Sequence, residues 1–321
     1  MDSDALPAES DRLGDPVVTT PLELADDDVD TVLTQGTLEV VGRLTSASNA
    51  SFLATATLDG IALACVYKPV AGERPLWDFP DGNLAGREYA ARLVSRAGGF
   101  DVVPSTVLRD GRFGPGMCQR WVETHDDHAL VDVVSTDFEE PGWLPVVEAE
   151  DQFGRPVLLV HADDDRLRDM AVFDTLINNA DRKAGHVLLA ASPDKPGQPM
   201  PGGAASAGDP ADVDADEHKG SFPGQLRDGR LWGCDHGVSL HHEDKLRTIL
   251  WGWAGEPLRQ PDLARVDTLV DALDGDLSDA LRPHLTRTEI DALLARALVL
   301  RATAVMPVPG GRWPAIPWPP I

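Results

Sequence analysis

The chain has 321 residues, of which 42% are hydrophobic, and its formal net charge is −25. This length allows one large domain or two lobes around a buried core. Such an acidic surface repels nucleic-acid phosphates and anionic membranes, and the longest apolar runs are too short to span a bilayer. These features argue against a nucleic-acid partner and against a stable membrane anchor.

Cysteine use and the first residues indicate a cytoplasmic protein. Cys65, Cys118 and Cys234 all lie in apolar stretches, which is typical of reduced, buried thiols and not of a disulfide framework. Residues 1–30 contain ten Asp or Glu and one basic residue, without the basic and apolar regions of a signal peptide. We therefore predict that residues 1–36 form a disordered acidic tail.

Residues 37–123 predict a small antiparallel sheet with one helix, the N-lobe of an α+β protein. Asp59-Gly60 is a two-residue hairpin signal between two alternating apolar runs. The predicted strands are 38–44, 51–58, 61–68, 102–108 and 116–123, and the predicted helix is 84–96.

Residues 124–305 predict a mostly helical C-lobe. Thr286 and Glu289 form a capping-box pattern before the last helix. The predicted helices are 163–178, 246–253, 263–273 and 288–302, and two short strands are predicted at 186–190 and 231–234. Residues 191–229 are dense in Pro, Gly, Ala and Asp, which predicts a disordered insertion, and residues 306–321 form a Pro/Trp-rich tail.

One of only five lysines, Lys68, ends an apolar strand. A buried ammonium needs a partner or a ligand. One interpretation is the strand lysine that holds nucleotide phosphates, with Glu88 on the following helix as its partner. The alternative is a lysine that extends to solvent at a strand end beside Pro69.

The loop 45–51 joins the first two predicted strands and is rich in hydroxyl groups. Small polar residues such as Ser48 and Asn49 are candidates to cover nucleotide phosphates, although the Gly-rich pattern of kinases is absent. The alternative is an ordinary polar hairpin loop. No Walker A motif is present, so a P-loop NTPase is not supported.

Two short loops carry the residues that phosphoryl transfer needs. Asp181 is followed by Lys183 and His186, and Asp235 ends a later apolar run. Asp181 is the candidate to orient an acceptor hydroxyl, Lys183 or Arg182 to sit by the γ-phosphate, and Asp235 to bridge metal ions. Taken singly, each acidic residue is also typical of a simple turn.

Several motifs together resemble the atypical kinases related to phosphatidylinositol 3-/4-kinases, and more closely an actinobacterial branch of that group. They are SASNASF, VYKP, GREYAARLVS, NNADRKAGHVLL and WGCDHG, and the resemblance covers roughly residues 37–305. It implies a two-lobed protein-kinase-like fold with ATP and Mg²⁺ in the cleft. It also implies adenine contacts from the segment after Met117, namely Gln119, Arg120, Trp121 and Val122.

The resemblance assigns a role to each matching residue. Lys68 becomes the phosphate lysine, Glu88 its partner, Asp181 the catalytic Asp, and His186 and Asp235 the two metal-ligand positions. The lipid kinases have Asn where this chain has His186. Imidazole is a better ligand for divalent ions that are softer than Mg²⁺. The histidine therefore suggests either that the enzyme prefers Mn²⁺ or that the protein is a pseudokinase.

Three functions follow from these residues: an active ATP-dependent phosphotransferase, a nucleotide-binding pseudokinase or regulator, and a nucleotidyl transferase that uses the same cleft. The acceptor is open between a small molecule, a lipid and a protein, and the acidic charge favours a neutral or basic one. The tryptophans of the C-terminal half, including Trp313 and Trp318, are interpreted as core or tail-docking residues.

Overall fold

The computed structural model describes residues 24–44, 49–124, 130–190, 229–311 and 313–321. Its first part is a five-stranded antiparallel sheet in the order β1-β2-β3-β5-β4. Asp59 and Gly60 both have positive φ, 48° and 81°, as a two-residue hairpin requires. The strands are β1 (Thr37–Leu44), β2 (Ser51–Leu58), β3 (Ile61–Pro69), β4 (Thr106–Gly111) and β5 (Gly114–Arg120).

Two helices pack near this sheet, α1 (Asp26–Gln35) and α2 (Leu84–Ala97). The apolar residues of α1 are buried in one core with the sheet, whereas those of α2 belong to the core of the second lobe. Helix α1 corrects the predicted disordered tail over residues 26–35, whereas residues 1–23 lie outside the described residues. Its three apolar residues, Val29, Val32 and Leu33, lie on one face and are buried.

Within the described residues, the second lobe contains four α-helices, and a two-stranded antiparallel sheet lies beside them. The Thr286–Glu289 capping box is confirmed at the start of the last helix. The helices are α3 (Asp165–Ile177), α4 (Gln260–Leu273), α5 (Asp276–Leu281) and α6 (Arg287–Thr303), and the two short strands are β9 (Val187–Leu189) and β10 (Leu231–Gly233).

The predicted helix 246–253 is wrong. This segment is irregular, and its backbone pairs with the loop that follows α3. The amide of Arg182 donates to Arg247 O at 3.1 Å, and the amide of Ile249 donates to Arg182 O at 3.2 Å. A helix would have kept these groups for its own hydrogen bonds.

A second antiparallel sheet was not predicted. Its strands are β6 (Val131–Ser135), β7 (Trp143–Glu150) and β8 (Pro156–Ala162), in the order β6-β8-β7. The α+β class with a small antiparallel N-lobe sheet is confirmed, and the second lobe is less purely helical than expected.

Within the described ranges, no helix is long and apolar enough to cross a membrane. The predicted insertion 191–229 lies outside the described residues except for Gly229.

Candidate functional site

The ammonium of Lys68 lies between two carboxylates that come from different parts of the chain. Lys68 near the end of β3 is 2.9 Å from Glu88 on α2, and it also forms an ion pair with Asp235, which follows β10. Burial opposes the charge on Lys68, but Glu88 and then Asp235 outweigh it and raise the lysine pKa. Lys68 therefore remains fully charged at neutral pH.

Glu88 joins β3 to the Asp235 loop. One carboxylate oxygen binds Lys68, and the other accepts the backbone N–H of His236 at 2.9 Å. The Glu88 side chain is only 4% exposed, so these two contacts fix it. The predicted Lys68–Glu88 pair is present in the structure.

Asp235 is partly exposed and is held in an unusual backbone conformation. Its φ is 56°, in the left-handed region, and its side chain is 46% exposed. The charge of Lys68 holds the pKa of Asp235 well below its usual range. This residue is therefore an ionised carboxylate that a ligand can reach.

The imidazole of His186 turns a lone pair towards Asp235. Its Nδ1 is 2.8 Å from the carbonyl oxygen of Asp181, which can only accept, so Nδ1 carries the proton. Its Nε2 then lies 3.3 Å from an Asp235 oxygen. Burial lowers the pKa of His186, so the ring is neutral at pH 7. Two acceptors at this distance are compatible with a cation between them.

This donor set fits a divalent metal ion that arrives with a phosphate ligand. No group of three or more His, Cys, Asp or Glu residues gathers as a metal site within the part of the chain that the structure describes. Asp235 and His186 would therefore hold the ion together with phosphate oxygens and water, the usual arrangement for Mg²⁺ at nucleotides. The imidazole favours softer ions such as Mn²⁺.

Asp181 and Lys183 lie side by side at the surface of the loop after α3. Their charged groups are 3.3 Å apart, and their side chains are 32% and 24% exposed. The amide of Asp181 donates to the side-chain oxygen of Asn179 at 3.0 Å, which sets the turn. Both side chains are therefore partly exposed and accessible to a ligand.

Arg182 does not have the phosphate-facing role that the sequence offered it. Its side chain is fully buried and forms a two-point ion pair with Asp174, with both N–O distances 2.9 Å. Its other nitrogen donates to the carbonyls of His186 and Cys234, both at 3.1 Å. Arg182 is thus a positioning residue that ties the Asp181 loop to the Asp235 loop.

His236 and Asp174 complete this buried network, and sequence reasoning missed both. Arg182 lies 2.8 Å from Nε2 of His236, which accepts because a guanidinium can only donate. Burial, and then the charge of Arg182, holds the pKa of His236 far below its usual value. The only sequence signal was the position of His236 directly after Asp235.

Several of the residues predicted to contact the adenine and the phosphates have other partners in the structure or lie outside the described residues. Ser48 lies outside the described residues, and the side-chain oxygen of Asn49 accepts the amide of Arg74 at 2.9 Å. Gln119 donates to Thr106 at 2.9 Å, and the guanidinium of Arg120 lies 4.7 Å from the ring of Trp232.

The side chains of Gln119 and Arg120 are both buried within the lobe, and adenine contacts from this segment stay a prediction. Trp121 and Val122 are half-buried and follow β5. The amide of Trp121 donates to Ala64 O at 3.0 Å, which fixes the start of this segment beside β3. Trp121 and Val122 therefore remain the candidates for the adenine.

Comparison with solved structures finds similarity to kinases. The crystal structure of the Golgi casein kinase with Mn/ADP bound is 14% identical, with a TM-score of 0.47 over 86% of this chain and 74% of that one. The Helicobacter pylori proinflammatory kinase CtkA is 10% identical, with a TM-score of 0.36 over 85% of this chain and 94% of that one.

Comparison with known sequences is more specific. No protein-family model matches the chain. Protein Rv2133c of Mycobacterium tuberculosis is 47% identical in an alignment of 302 residues that covers 91% of this chain and 95% of that protein. The chain therefore belongs to the family of Protein Rv2133c.

Proposed function

We propose that the protein is an ATP-dependent phosphotransferase, an atypical kinase that transfers the γ-phosphate to an acceptor hydroxyl. The observation that carries this proposal is the position of Lys68 between Glu88 and Asp235. A strand lysine, a helix glutamate and a metal-loop aspartate are the set that protein-kinase-like enzymes use at the nucleotide phosphates.

Each residue of the cleft has a distinct task in this proposal. Lys68 binds phosphate oxygens, and Glu88 keeps its ammonium in place. Asp181 orients the acceptor hydroxyl and takes its proton, while Lys183 stabilises the charge on the transferred group. A divalent ion held by Asp235 and His186 would neutralise phosphate charge when bound.

The proposal is tested by nucleotide binding and by transfer of labelled γ-phosphate, each with Mg²⁺ and with Mn²⁺. Lys68→Met and Asp235→Asn are expected to weaken binding at least tenfold, because each removes a group that meets the phosphates or their metal ion. Asp181→Asn is expected to keep binding and to lower transfer at least a hundredfold. Asp271→Asn, exposed on α4, is the matched control.

Absence of nucleotide binding by the native protein with both metals would reject the proposal. Equal binding by the native protein and Asp235→Asn would also reject it. Labelled AMP on an acceptor, instead of labelled phosphate, would assign the cleft to nucleotidyl transfer.

The second candidate is a nucleotide-binding pseudokinase, which the His186–Asp235 contact favours. A neutral imidazole in place of a carboxamide is a poor Mg²⁺ ligand. In this case the native protein binds ATP without turnover, and His186→Asn gains Mg²⁺-dependent turnover.

The finer relation to phosphatidylinositol 3-/4-kinases rests on the sequence motifs and is part of the same proposal. A lipid, a small molecule and a protein all stand as acceptor classes for it.

A further inference from the structure

Two residues of the loop that precedes β2 are tied to the turn that follows β3. The amide of Ala50 donates to the carbonyl oxygen of Gly72 at 3.1 Å, and the amide of Arg74 donates to the side-chain oxygen of Asn49 at 2.9 Å. A Cβ at Gly72 would lie only 2.5 Å from the Cβ of Ala50. The end of the loop and the turn are therefore bound to each other and closely packed.

This contact lies at the end of the sheet that carries Lys68. Phe52 of β2 pairs with Tyr67 of β3 in the antiparallel ladder. Because the next residues of two paired antiparallel strands also lie opposite each other, Ser51 lies beside Lys68. Ala50 directly precedes Ser51, so its backbone lies next to the place that the proposed function gives to the nucleotide phosphates.

Glu73 attaches the same turn to the beginning of α2. Its two carboxylate oxygens accept the amides of Leu84 and Ala85, both at 2.8 Å. The first amides of a helix have no partner within the helix, and the helix dipole favours a negative charge beside them. Glu73 therefore caps α2 from outside the helix, in addition to Asn83, whose side chain accepts the amide of Gly86 at 2.7 Å.

Helix α2 is the firmly held partner in this arrangement. Arg87 forms a buried ion pair with Glu289 of α6, and Arg92 forms an ion pair with Asp26 of α1 at 2.9 Å. The turn, in contrast, is half-buried at its first two residues and exposed at its third. The turn therefore takes its position from α2 through Glu73, and the end of the loop takes its position from the turn.

We propose that Glu73 is a positioning residue that holds Asn49 and Ala50 in place at the nucleotide phosphates. The proposal rests on the proposed function, which assigns the phosphates to Lys68. Glu73 does not contact the phosphates itself, because α2 amides occupy both of its carboxylate oxygens. Without Glu73 the turn and the end of the loop stay bound to each other but lose their attachment to α2, so the loop shifts relative to Lys68.

The first test measures amide hydrogen exchange of the full chain without nucleotide. Glu73→Ala is expected to speed exchange of the Ala50 amide at least fivefold, because the turn that accepts this amide opens more often once it is detached from α2. Asn83→Ala is the matched control, since it removes a cap of the same helix that does not involve the turn. It is expected to change exchange of the Ala50 amide less than twofold. Equal exchange in the native chain and Glu73→Ala would overturn the proposal.

The second test compares the binding of ATP and of adenosine, each with Mg²⁺ and with Mn²⁺. Glu73→Ala is expected to weaken ATP binding at least fivefold and adenosine binding less than twofold, because adenosine has no phosphates for the loop to cover. Gly72→Ala leaves Glu73 in place and forces the loop away from the turn, so it is expected to have the same effect. This variant decides the matter even where Glu73→Ala does not fold.

The outcomes separate this proposal from the proposed function. ATP binding by the native chain that both variants leave unchanged would reject the positioning role alone. An equal loss of ATP and adenosine binding would also reject it, because a general loss of structure affects both ligands. Faster exchange of the Ala50 amide in Glu73→Ala, without ATP binding by the native chain, would reject the proposed function and the phosphate role of Glu73 with it.

Discussion

The guanidinium of Arg87 and the carboxylate of Glu289 form a buried ion pair that ties α2 to α6. The two groups are 2.5 Å apart, and their side chains are 1% and 2% exposed. Arg87 also donates to the carbonyls of Ser239 and Asp81, at 2.9 and 3.0 Å. Because Arg87 directly precedes Glu88, this pair fixes the helix that presents Glu88 to Lys68.

Loss of this ion pair is expected to destabilise the fold strongly. Arg87→Met leaves the Glu289 carboxylate buried without its partner, which costs about 3 kcal/mol or more of the free energy of unfolding. Urea denaturation measures this change. Asp291→Asn, which removes a pair with Arg287 that is largely exposed on α6, serves as the control and is expected to change nothing measurable. Equal midpoints for Arg87→Met and the native chain would contradict the prediction.

The core of the site was predictable because its residues occur in a characteristic order along the chain. A lysine at the end of an apolar strand and a glutamate on the next helix predicted the Lys68–Glu88 pair, and the aspartate after a late apolar run predicted Asp235 as part of the same site. The ion pair between Lys68 and Asp235 was not predicted. The burial of the Arg182 side chain could not be predicted from its position beside Asp181. The orientation of this side chain depends on its ion pair with the buried carboxylate of Asp174, and that pair forms only in the folded protein.

The Arg182–Asp174 pair is expected to behave as a unit. Each single variant, Arg182→Met or Asp174→Leu, leaves one buried charge unpaired. Each is expected to lower the free energy of unfolding by about 3–5 kcal/mol. The double variant removes both charges, so its cost is expected to be smaller than the sum of the two single costs by at least about 1 kcal/mol. Chemical denaturation of all four proteins gives this difference, and strict additivity would show that the pair is not coupled.

Two segments, helix α1 and residues 246–253, were predicted wrongly because a local sequence pattern indicated a different structure. In α1 the acidic run Asp26–Asp28 suggested a disordered tail, although Val29, Val32 and Leu33 follow a helical spacing. In the segment 246–253 the apolar residues also follow a helical spacing. There the backbone is instead bound to Arg182 and Ala315, contacts that a local pattern does not reveal.

A methyl group at Gly116 is expected to displace the end of β3 that carries Lys68. A Cβ there would lie 2.4 Å from the carbonyl oxygen of Lys68 and 2.6 Å from Cα of Pro69. These are backbone atoms that cannot move without distorting the sheet. Gly116→Ala is expected to cost about 2 kcal/mol of stability and to weaken nucleotide binding, because it shifts the Lys68 ammonium.

The matched control for this change is Gly42→Ala in β1 of the same sheet. A Cβ at Gly42 meets no atom within 4 Å. Thermal unfolding and nucleotide titration of both variants test the prediction, and Gly42→Ala is expected to stay within about 0.5 kcal/mol of the native chain. Similar values for the two variants would show that β3 tolerates the added methyl group.

His161 is a buried histidine of the second lobe that links stability to pH. Its ring has no exposed surface, and its Nε2 accepts the amide of Gly252 at 3.0 Å. Its Nδ1 lies 2.9 Å from the carbonyl of Ala162, so the neutral ring satisfies both partners. Burial lowers the pKa of His161 to about 4.

The stability that neutral His161 contributes is expected to be lost as the pH falls from about 6.5 to about 4. In this window the unfolded chain binds a proton at this residue and the folded chain does not, so acid favours unfolding. The expected loss is about 1.4 kcal/mol at pH 5.5 and about 3 kcal/mol at pH 4. His186 and His236 titrate in the same direction, so urea denaturation at pH 7.5 and 5.5 is compared with His161→Gln. That variant is expected to lose less stability between the two pH values, and parallel curves for the two proteins would assign the pH dependence to the other histidines.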